Sequence, residues 1–326
     1  MLMIGAEDIR KAFSMRDAIE SNREAFAIQA EGKAKLSVRT SFNVEGRGIS
    51  SFMPGYVSSF PRVGVKIVST FPGNAEKNLP VVGATVLLLD PETGLVDALI
   101  DGTELTRLRT GAVSGLATEL LANEGAEIGA LFGTGGQAAS QLEAMLNVRK
   151  LREVRVYDVM RDRIAPFIER VSAMASRFGA RIAEAPSPDA AVEGADVITS
   201  VTTASDPVFD GSLVKAGAHV NGVGTYEPHK RELDEAIICR ADRIFVDNME
   251  AIMAEAGDIL IPMKDGKLAK EDIAGELGDL ILGRSEGRKS KEQITLMKTV
   301  GFATLDIVIA HKIFNKAVEM GIGADL

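Results

Sequence analysis

The sequence predicts an α/β protein of two domains, one a doubly wound parallel sheet and the other a mixed α+β unit built on a largely antiparallel sheet. Three observations predict it. Short apolar strands alternate with helical segments from residue 128 onward, and a glycine-rich turn, Gly133-Thr134-Gly135-Gly136-Gln137-Ala138, joins the first of those strands to the helix after it. The first hundred residues instead hold consecutive strand-like runs separated by turn signals.

The length of 326 residues suits two such domains, and 46% hydrophobic with 25% charged residues is the balance of an ordinary globular chain. The longest apolar runs, such as 81–89, are too short to cross a bilayer, and the opening residues lack the basic start and long apolar stretch of a secretory signal, so a cytoplasmic location is expected. A net charge of −9 with no basic stripe argues against nucleic acid or an anionic membrane as partner and for a small molecule. The single cysteine, Cys239, lies in Ala236-Ile237-Ile238-Cys239-Arg240-Ala241, an apolar context typical of a buried structural thiol. His219, His229 and His311 are far apart and form no metal-ligand spacing, so no metal is expected.

Along the first domain, Met15–Ala30 has helical spacing, with Ser14 as N-cap and Ala18, Ile19, Ala25, Phe26 and Ile28 as its inner face. Strands are expected over 48–53, 62–69 and 81–89, and Asp90-Pro91-Glu92-Thr93-Gly94 turns the last of these into a hairpin with 95–100. The pattern changes at Thr110, where 110–123 has helical spacing and opens a new unit. The strand Ile128–Phe132, a helix over 137–146, a strand over 154–158 and a helix over 165–178 follow, with further strands over 197–201, 219–223 and 244–246. A last helix over 300–319 is expected to pack back on the first region. The expected division is therefore a discontinuous domain of 1–112 and 300–326 around a dinucleotide domain of 113–299.

The glycine turn has the strand–turn–helix context of a Rossmann-type dinucleotide site. Gly133 permits the tight turn, Gly135 lets backbone approach a pyrophosphate, Ala138 allows close packing of helix on strand, and the helix start offers free N–H groups to the phosphates. A glycine-rich connection without a ligand is the alternative for the turn by itself. Asp158 ends the second strand about 20 residues after the helix begins, where a carboxylate can accept a ribose hydroxyl and repel a 2′-phosphate. NAD(H) is therefore favoured over NADP(H), although Arg161 lies close enough to bear on the choice, and a solvated strand-end Asp is the alternative. In the first domain, Lys66 interrupts the apolar strand Val63-Gly64-Val65-Lys66-Ile67-Val68, and Arg109 precedes Thr110-Gly111-Ala112 at the entry to the second domain. An arginine can clamp a carboxylate and a lysine of lowered pKa can pass protons, while a lysine in a strand can equally point to solvent. Arg39 and Met53-Pro54 are weaker candidates.

These motifs together resemble the ornithine cyclodeaminase and mu-crystallin family over nearly the whole chain. They run in order from Arg39 and Met53-Pro54-Gly55-Tyr56 through Gly64-Val65-Lys66-Ile67-Val68, Leu88-Leu89-Asp90-Pro91-Glu92-Thr93-Gly94 and Leu105-Thr106 with Arg109-Thr110-Gly111-Ala112 to the glycine turn. The resemblance implies a homodimer in which the non-Rossmann domain supplies substrate residues and the dimer interface. It also implies that Arg39, Lys66 and Arg109 bind the substrate carboxylate, with Lys66 assisting proton transfer. The cofactor site would draw on Thr110, Gly133, Thr134, Gly135, Gly136, Gln137, Ala138, Asp158 and Arg161, with nicotinamide and ribose contacts around Ser200, Val201, Thr202, Val223, Gly224 and Gly301. Cyclodeaminases of the family carry an Asp where this chain has Tyr226, in Gly224-Thr225-Tyr226-Glu227-Pro228. The Tyr-x-Pro form is similar to the branch that reduces cyclic imino acids such as Δ1-pyrroline-2-carboxylate or Δ1-piperideine-2-carboxylate, with Tyr226 as a second proton donor, while Glu227 as a replacement for the missing carboxylate keeps cyclodeamination open. Asp306 is expected to orient Lys66 or the last helix, and Ala254-Glu255-Ala256-Gly257-Asp258 resembles a family loop without an assigned role. The competing expectations are ornithine cyclodeamination with bound NAD+, alanine-type amino-acid dehydrogenation, and a non-catalytic dinucleotide-binding protein.

Overall fold

A computed structural model describes residues 1–37, 39–77 and 79–326. The chain divides into two compact units, Met1–Arg109 with Phe302–Leu326, and Thr110–Gly301.

The sheet of the first unit runs in the order Ala324–Asp325, Leu2–Ile4, Val96–Asp101, Val82–Leu89, Arg62–Thr70, Ile49–Val57, Ala34–Leu36, with Thr40–Asn43 also pairing on Ile49–Val57. Its pairs are antiparallel except Leu2–Ile4 on Val96–Asp101. The helix Met15–Ala30 starts where the sequence places it: Ser14 Oγ accepts the Asp17 N–H at 3.2 Å and the Asp17 carboxylate takes the Ser14 N–H at 2.9 Å, a reciprocal cap worth about 1 kcal/mol. The helix Ala303–Met320 lies on this sheet and against Met15–Ala30. Two glycines make that approach possible. Gly55 and Gly64 face each other across the ladder, and a Cβ on either would come within 2.9 Å or 3.0 Å of the Ile307 side chain. The same close approach sets Asp306, the residue before Ile307, into the sheet.

The helix expected over 110–123 is longer, Gly102–Leu121. Its real start is signalled by Asp101, whose carboxylate accepts the Glu104 N–H at 2.8 Å and caps the first turn. The polar run Thr106–Arg109 hides that start from a reading based on apolar spacing.

The second unit is an eight-stranded, wholly parallel sheet in the order Arg181–Glu184, Glu153–Tyr157, Ile128–Phe132, Val197–Ser200, His219–Gly222, Thr295–Lys298, Arg243–Val246, Ile273–Glu276. The chain winds outward first to one side of Ile128–Phe132 and then to the other, so the direction of travel reverses between Ile128–Phe132 and Val197–Ser200. In doubly wound sheets that reversal opens a crevice at the carboxyl ends of the strands, where ligands bind. Alternate residues feed two cores: Ala130, Phe132, Ile198, Val220 and Leu296 on one face, Leu131, Val154, Val156 and Val197 on the other. In this unit the strands Arg181–Glu184, Ile273–Glu276 and Thr295–Lys298 have no counterpart in the sequence-based expectation. Each is only four residues long, too short for periodicity to distinguish from a loop.

Cys239 is exposed, contrary to the buried thiol expected from its neighbours. The short helix Glu235–Arg240 turns Ile237 and Ile238 into the core, and the rotation of one further residue carries Cys239 outward. No helix among the described residues is long and apolar enough to cross a membrane.

Candidate active site

Lys66 lies on the strand Arg62–Thr70, in register with Met53 on one neighbour and Val86 on the other, and its side chain is only 2% exposed. It points to the same face as Gly64, toward the helix that the glycine pair admits. There Lys66 Nζ meets Asp306 Oδ2 at 2.5 Å, while Asp306 Oδ1 accepts Arg109 Nε at 3.1 Å. Burial pushes the Lys66 ammonium down from 10.5 to about 8; the Arg109 charge adds to the fall, Asp306 opposes it, and Arg39 contributes a further push down. Burial would raise the Asp306 carboxyl, but Lys66 and Arg109 together outweigh it and hold the group below the usual carboxylate range. Asn22 fixes the clamp from behind by donating to the Arg109 carbonyl at 2.9 Å. Within the first unit, then, Lys66 and Arg109 share a single buried carboxylate and Arg39 is close enough to act on Lys66. Lys66 and Arg109, two cations against the one anion Asp306, leave a positive excess, which suits an anionic ligand such as a carboxylate.

In the second unit the glycine turn has the strain its sequence implies. Gly133 has φ +97°, and a Cβ there would sit 2.8 Å from the Val201 carbonyl oxygen, so the position requires glycine. Its N–H donates to the Tyr157 carbonyl at 2.9 Å, closing the turn on the next strand. Asp158 completes that closure: Oδ2 accepts the Thr134 N–H at 2.8 Å and hydroxyl at 2.7 Å, and Oδ1 accepts the Met160 N–H at 2.9 Å. Oδ1 keeps one lone pair for a further donor. Gly135 and Gly136 are exposed, with no protein atom within 4 Å of where a Cβ would stand. The helix Ala138–Val148 begins after Gln137 without a side-chain cap, and Gln137 Oε1 is buried with no hydrogen-bond partner. An uncapped helix start behind two bare glycines is an anion cradle with its positive end turned to open space. Arg161 is engaged with Glu184 through Nε at 3.1 Å and through Nη2, with the Pro186 carbonyl through Nη1 at 2.7 Å, and lies over the Tyr157 ring.

The remaining cofactor candidates occupy the carboxyl ends of adjacent strands. Gly224 lies against Thr202: a Cβ would be 2.1 Å from the Thr202 carbonyl oxygen. A fully buried acid, Glu232, stands behind this contact. Its Oε1 accepts the Ser200 hydroxyl at 2.7 Å and the Thr202 N–H at 2.5 Å; its Oε2 accepts the Gly224 and Thr225 N–H groups at 2.5 Å and 3.1 Å. Burial pushes the Glu232 carboxyl up, opposed chiefly by Lys298. Gly301, at φ +79°, is held by Asp247, which accepts from the Thr299 hydroxyl at 2.6 Å and from the Val300 and Gly301 N–H groups at 2.9 Å and 2.6 Å. Thr110 is half-buried on the helix Gly102–Leu121. Tyr226 is 45% exposed, and Glu227 pairs with Lys230 at 2.6 Å and His229 at 3.6 Å. His219 is buried between Thr295 and Asn221 and burial holds it near 3, a neutral structural group. No cluster of metal ligands occurs among the described residues.

Glu232, Asp247 and Lys298 are absent from the sequence-based set, and Asp258 enters it only inside a loop without a role. The available signal was a charged residue at the end of a buried apolar strand, as in Ile244-Phe245-Val246-Asp247 and Leu296-Met297-Lys298, where no solvent can account for it.

The pattern described as the ornithine cyclodeaminase/mu-crystallin family matches residues 1–321. The chain belongs to this family. A Delta(1)-pyrroline-2-carboxylate reductase of Bacillus cereus is 34% identical over 324 residues, covering 99% of this chain and 98% of the relative. The Delta(1)-pyrroline-2-carboxylate reductase of Thermococcus litoralis, solved in complex with NADH and L-proline, superposes with a TM-score of 0.95 at 38% identity and 100% coverage of both chains. An archaeal alanine dehydrogenase dimer with bound NAD superposes at 0.92 and 32% identity, covering 100% of this chain and 98% of that one. Membership gives the fold class a second footing, since two of these relatives were solved with a nicotinamide dinucleotide bound.

Proposed function

We propose that this protein reduces a small cyclic 2-imino acid, Δ1-pyrroline-2-carboxylate or Δ1-piperideine-2-carboxylate, to the cyclic amino acid with NADH. The observation that carries the proposal is the Lys66–Asp306–Arg109 arrangement, a buried proton carrier of lowered pKa beside a surplus of positive charge. Arg109 and Arg39 bind the substrate carboxylate and orient the ring. Lys66 Nζ holds a proton at the imine nitrogen, which makes the adjoining carbon electrophilic, and Asp306 keeps the ammonium aimed. NADH, when bound, supplies the hydride; one hydride and one proton convert C=N to CH–NH. The Gly135 and Gly136 amides and the uncapped helix start hold the pyrophosphate, and Asp158 Oδ1 takes a ribose hydroxyl with its free lone pair. Ser200, Val201, Thr202, Val223, Gly224 and Gly301 form the nicotinamide side. Tyr226 is a second proton donor.

The deciding experiment follows NADH absorbance with purified protein and pyrroline-carboxylate, piperideine-carboxylate, pyruvate plus ammonia, or ornithine. NADH oxidation by a cyclic imine without ammonia is the expected result. Turnover only with pyruvate and ammonia would make the protein an alanine-type dehydrogenase, and ornithine converted to proline without net NADH would make it a cyclodeaminase. The same protein binding NADH with no turnover of any of the four would leave a dinucleotide-binding protein.

We also read the cofactor as NAD(H) rather than NADP(H), because Asp158 places negative charge at the end of the second strand and Glu184 and the Pro186 carbonyl engage the guanidinium of Arg161. The pair is half-exposed, so its own stability is small and a phosphate dianion can compete for Arg161 once Glu184 is gone. Glu184→Ala is expected to raise the NADPH-to-NADH ratio of kcat/KM by roughly three- to tenfold. An unchanged ratio would remove Arg161 from cofactor choice. The assembly is read as a cytoplasmic homodimer: exposed apolar side chains such as Phe42 and Leu95 on the first unit suit a subunit contact, and one cysteine offers no disulfide framework.

A further inference from the structure

Behind the strand ends of the second unit lies a group of buried charges that the mechanism above leaves unused. Glu232, Asp258 and Lys298 are all fully buried. Lys298 Nζ pairs with Asp258 Oδ2 at 2.6 Å and donates to the Thr225 carbonyl at 2.7 Å. Asp258 Oδ1 in turn accepts the N–H groups of Glu232 at 2.7 Å and Leu233 at 2.9 Å, which fixes the backbone from which Glu232 projects. The four groups bonded to the Glu232 oxygens are all donors, namely one hydroxyl and three backbone N–H groups. Three of the four are backbone N–H groups that can only donate and Ser200 alone could accept a proton, so the surroundings favour the carboxylate against the upward push of burial.

Two carboxylates against one ammonium leave one negative charge in excess, and it rests on Glu232, whose hydrogen-bond partners are neutral. A buried carboxylate whose nearest counter-ion, Lys298, is already paired with a second carboxylate is costly to keep unless a ligand or partner offsets it. One hydrogen bond separates this carboxylate from the backbone of Thr202 and Gly224, residues assigned above to the nicotinamide side. The two redox forms of nicotinamide differ in charge there, because the oxidised ring is cationic and the reduced ring neutral.

We propose that Glu232 is a charge-setting residue, which shifts the relative affinity of this site toward the oxidised cofactor and so favours hydride departure from the reduced one. Asp258 and Lys298 act through it by position and by their own charges. The proposal rests on the dinucleotide reading above. Positive charge grows on the nicotinamide as hydride leaves, and a fixed carboxylate already in place stabilises it without reorganisation.

Binding of NAD+, NADH and ADP-ribose to the full chain, by calorimetry and NADH fluorescence, tests this. In Glu232→Gln the ratio Kd(NAD+)/Kd(NADH) is expected to rise about tenfold. Glu232→Asp, which retains the charge, should stay near the wild-type ratio, and ADP-ribose affinity should not change in any variant. Should Glu232→Gln fail to fold, Asp258→Asn carries the test, since its side-chain oxygen can still accept the two N–H groups while one negative charge is removed; the same rise is expected. A folded variant with the wild-type ratio, or an equal loss of affinity for all three ligands, would overturn the proposal while leaving the dinucleotide site intact. Wild-type protein that binds none of the three would instead remove the dinucleotide reading itself.

Discussion

Replacing Lys66 with alanine is expected to lower reductive turnover by roughly 10²–10⁴-fold while NADH affinity stays within about threefold, because the substitution removes a proton donor but none of the groups assigned to the dinucleotide. Single-turnover kinetics with a fluorescence titration of NADH separates the two effects; unchanged turnover would take Lys66 out of the mechanism. The pH dependence gives an independent reading of the same side chain. Burial lowers its pKa to about 8, so kcat/KM for reduction should fall as pH rises through 8 and the ammonium is lost. Stability moves the other way. Between about 8 and the ordinary 10.5 the unfolded chain holds the proton that the folded chain has released, so this group's contribution rises with pH across that window and is flat below it. Activity falling where this contribution to stability rises separates a catalytic titration from alkaline unfolding.

Asp306→Ala should have the largest effect on stability. The carboxylate is 1% exposed and is the shared partner of Lys66 and Arg109, so its removal leaves two buried cations facing each other. Breaking one partner from a buried ion network costs about 3–5 kcal/mol. The loss is expected in the first unit's unfolding step in urea, and Lys66→Met in the Asp306→Ala background should recover part of it by removing one uncompensated charge. A loss below about 1 kcal/mol, the scale of an exposed pair, would mean that Asp306 contributes no more than a surface ion pair does.

Much of this arrangement was legible in the chain. The helix Met15–Ala30 and the strand Ile128–Phe132 have the limits that capping and apolar periodicity imply, and Gly133 has the left-handed backbone that its turn requires. What escaped was carried partly by residues remote in sequence and partly by local polar or helical geometry that apolar spacing does not register. Lys66 in an apolar strand reads by itself equally as a solvent-facing lysine; Asp306, 240 positions later, was expected to orient Lys66 or the last helix, and the structure pairs it with Lys66. Asp101 capping Glu104 was hidden because apolar spacing does not register a polar first turn. Glu232 and Lys298 look like surface residues in one dimension; only the parallel packing of their strands and loops removes the water from around them. Cys239 shows the reverse failure, since apolar neighbours on a short helix say nothing about which way the next residue turns.

The first unit is finished by the last residues of the chain: Ala303–Met320 covers the sheet at Gly55 and Gly64, and Ala324–Asp325 adds the edge strand beside Leu2–Ile4. During synthesis Lys66 therefore emerges long before its counter-ion, and at about 5–20 residues per second the wait over the intervening 240 residues is on the order of ten to fifty seconds. Through that interval the open sheet has neither its covering helix nor its terminal edge. Until residues 303–325 have emerged the first unit stays unfinished while the second is complete, so arrival of that helix, rather than appearance of Lys66, is the moment at which the buried Lys66–Asp306–Arg109 cluster can form.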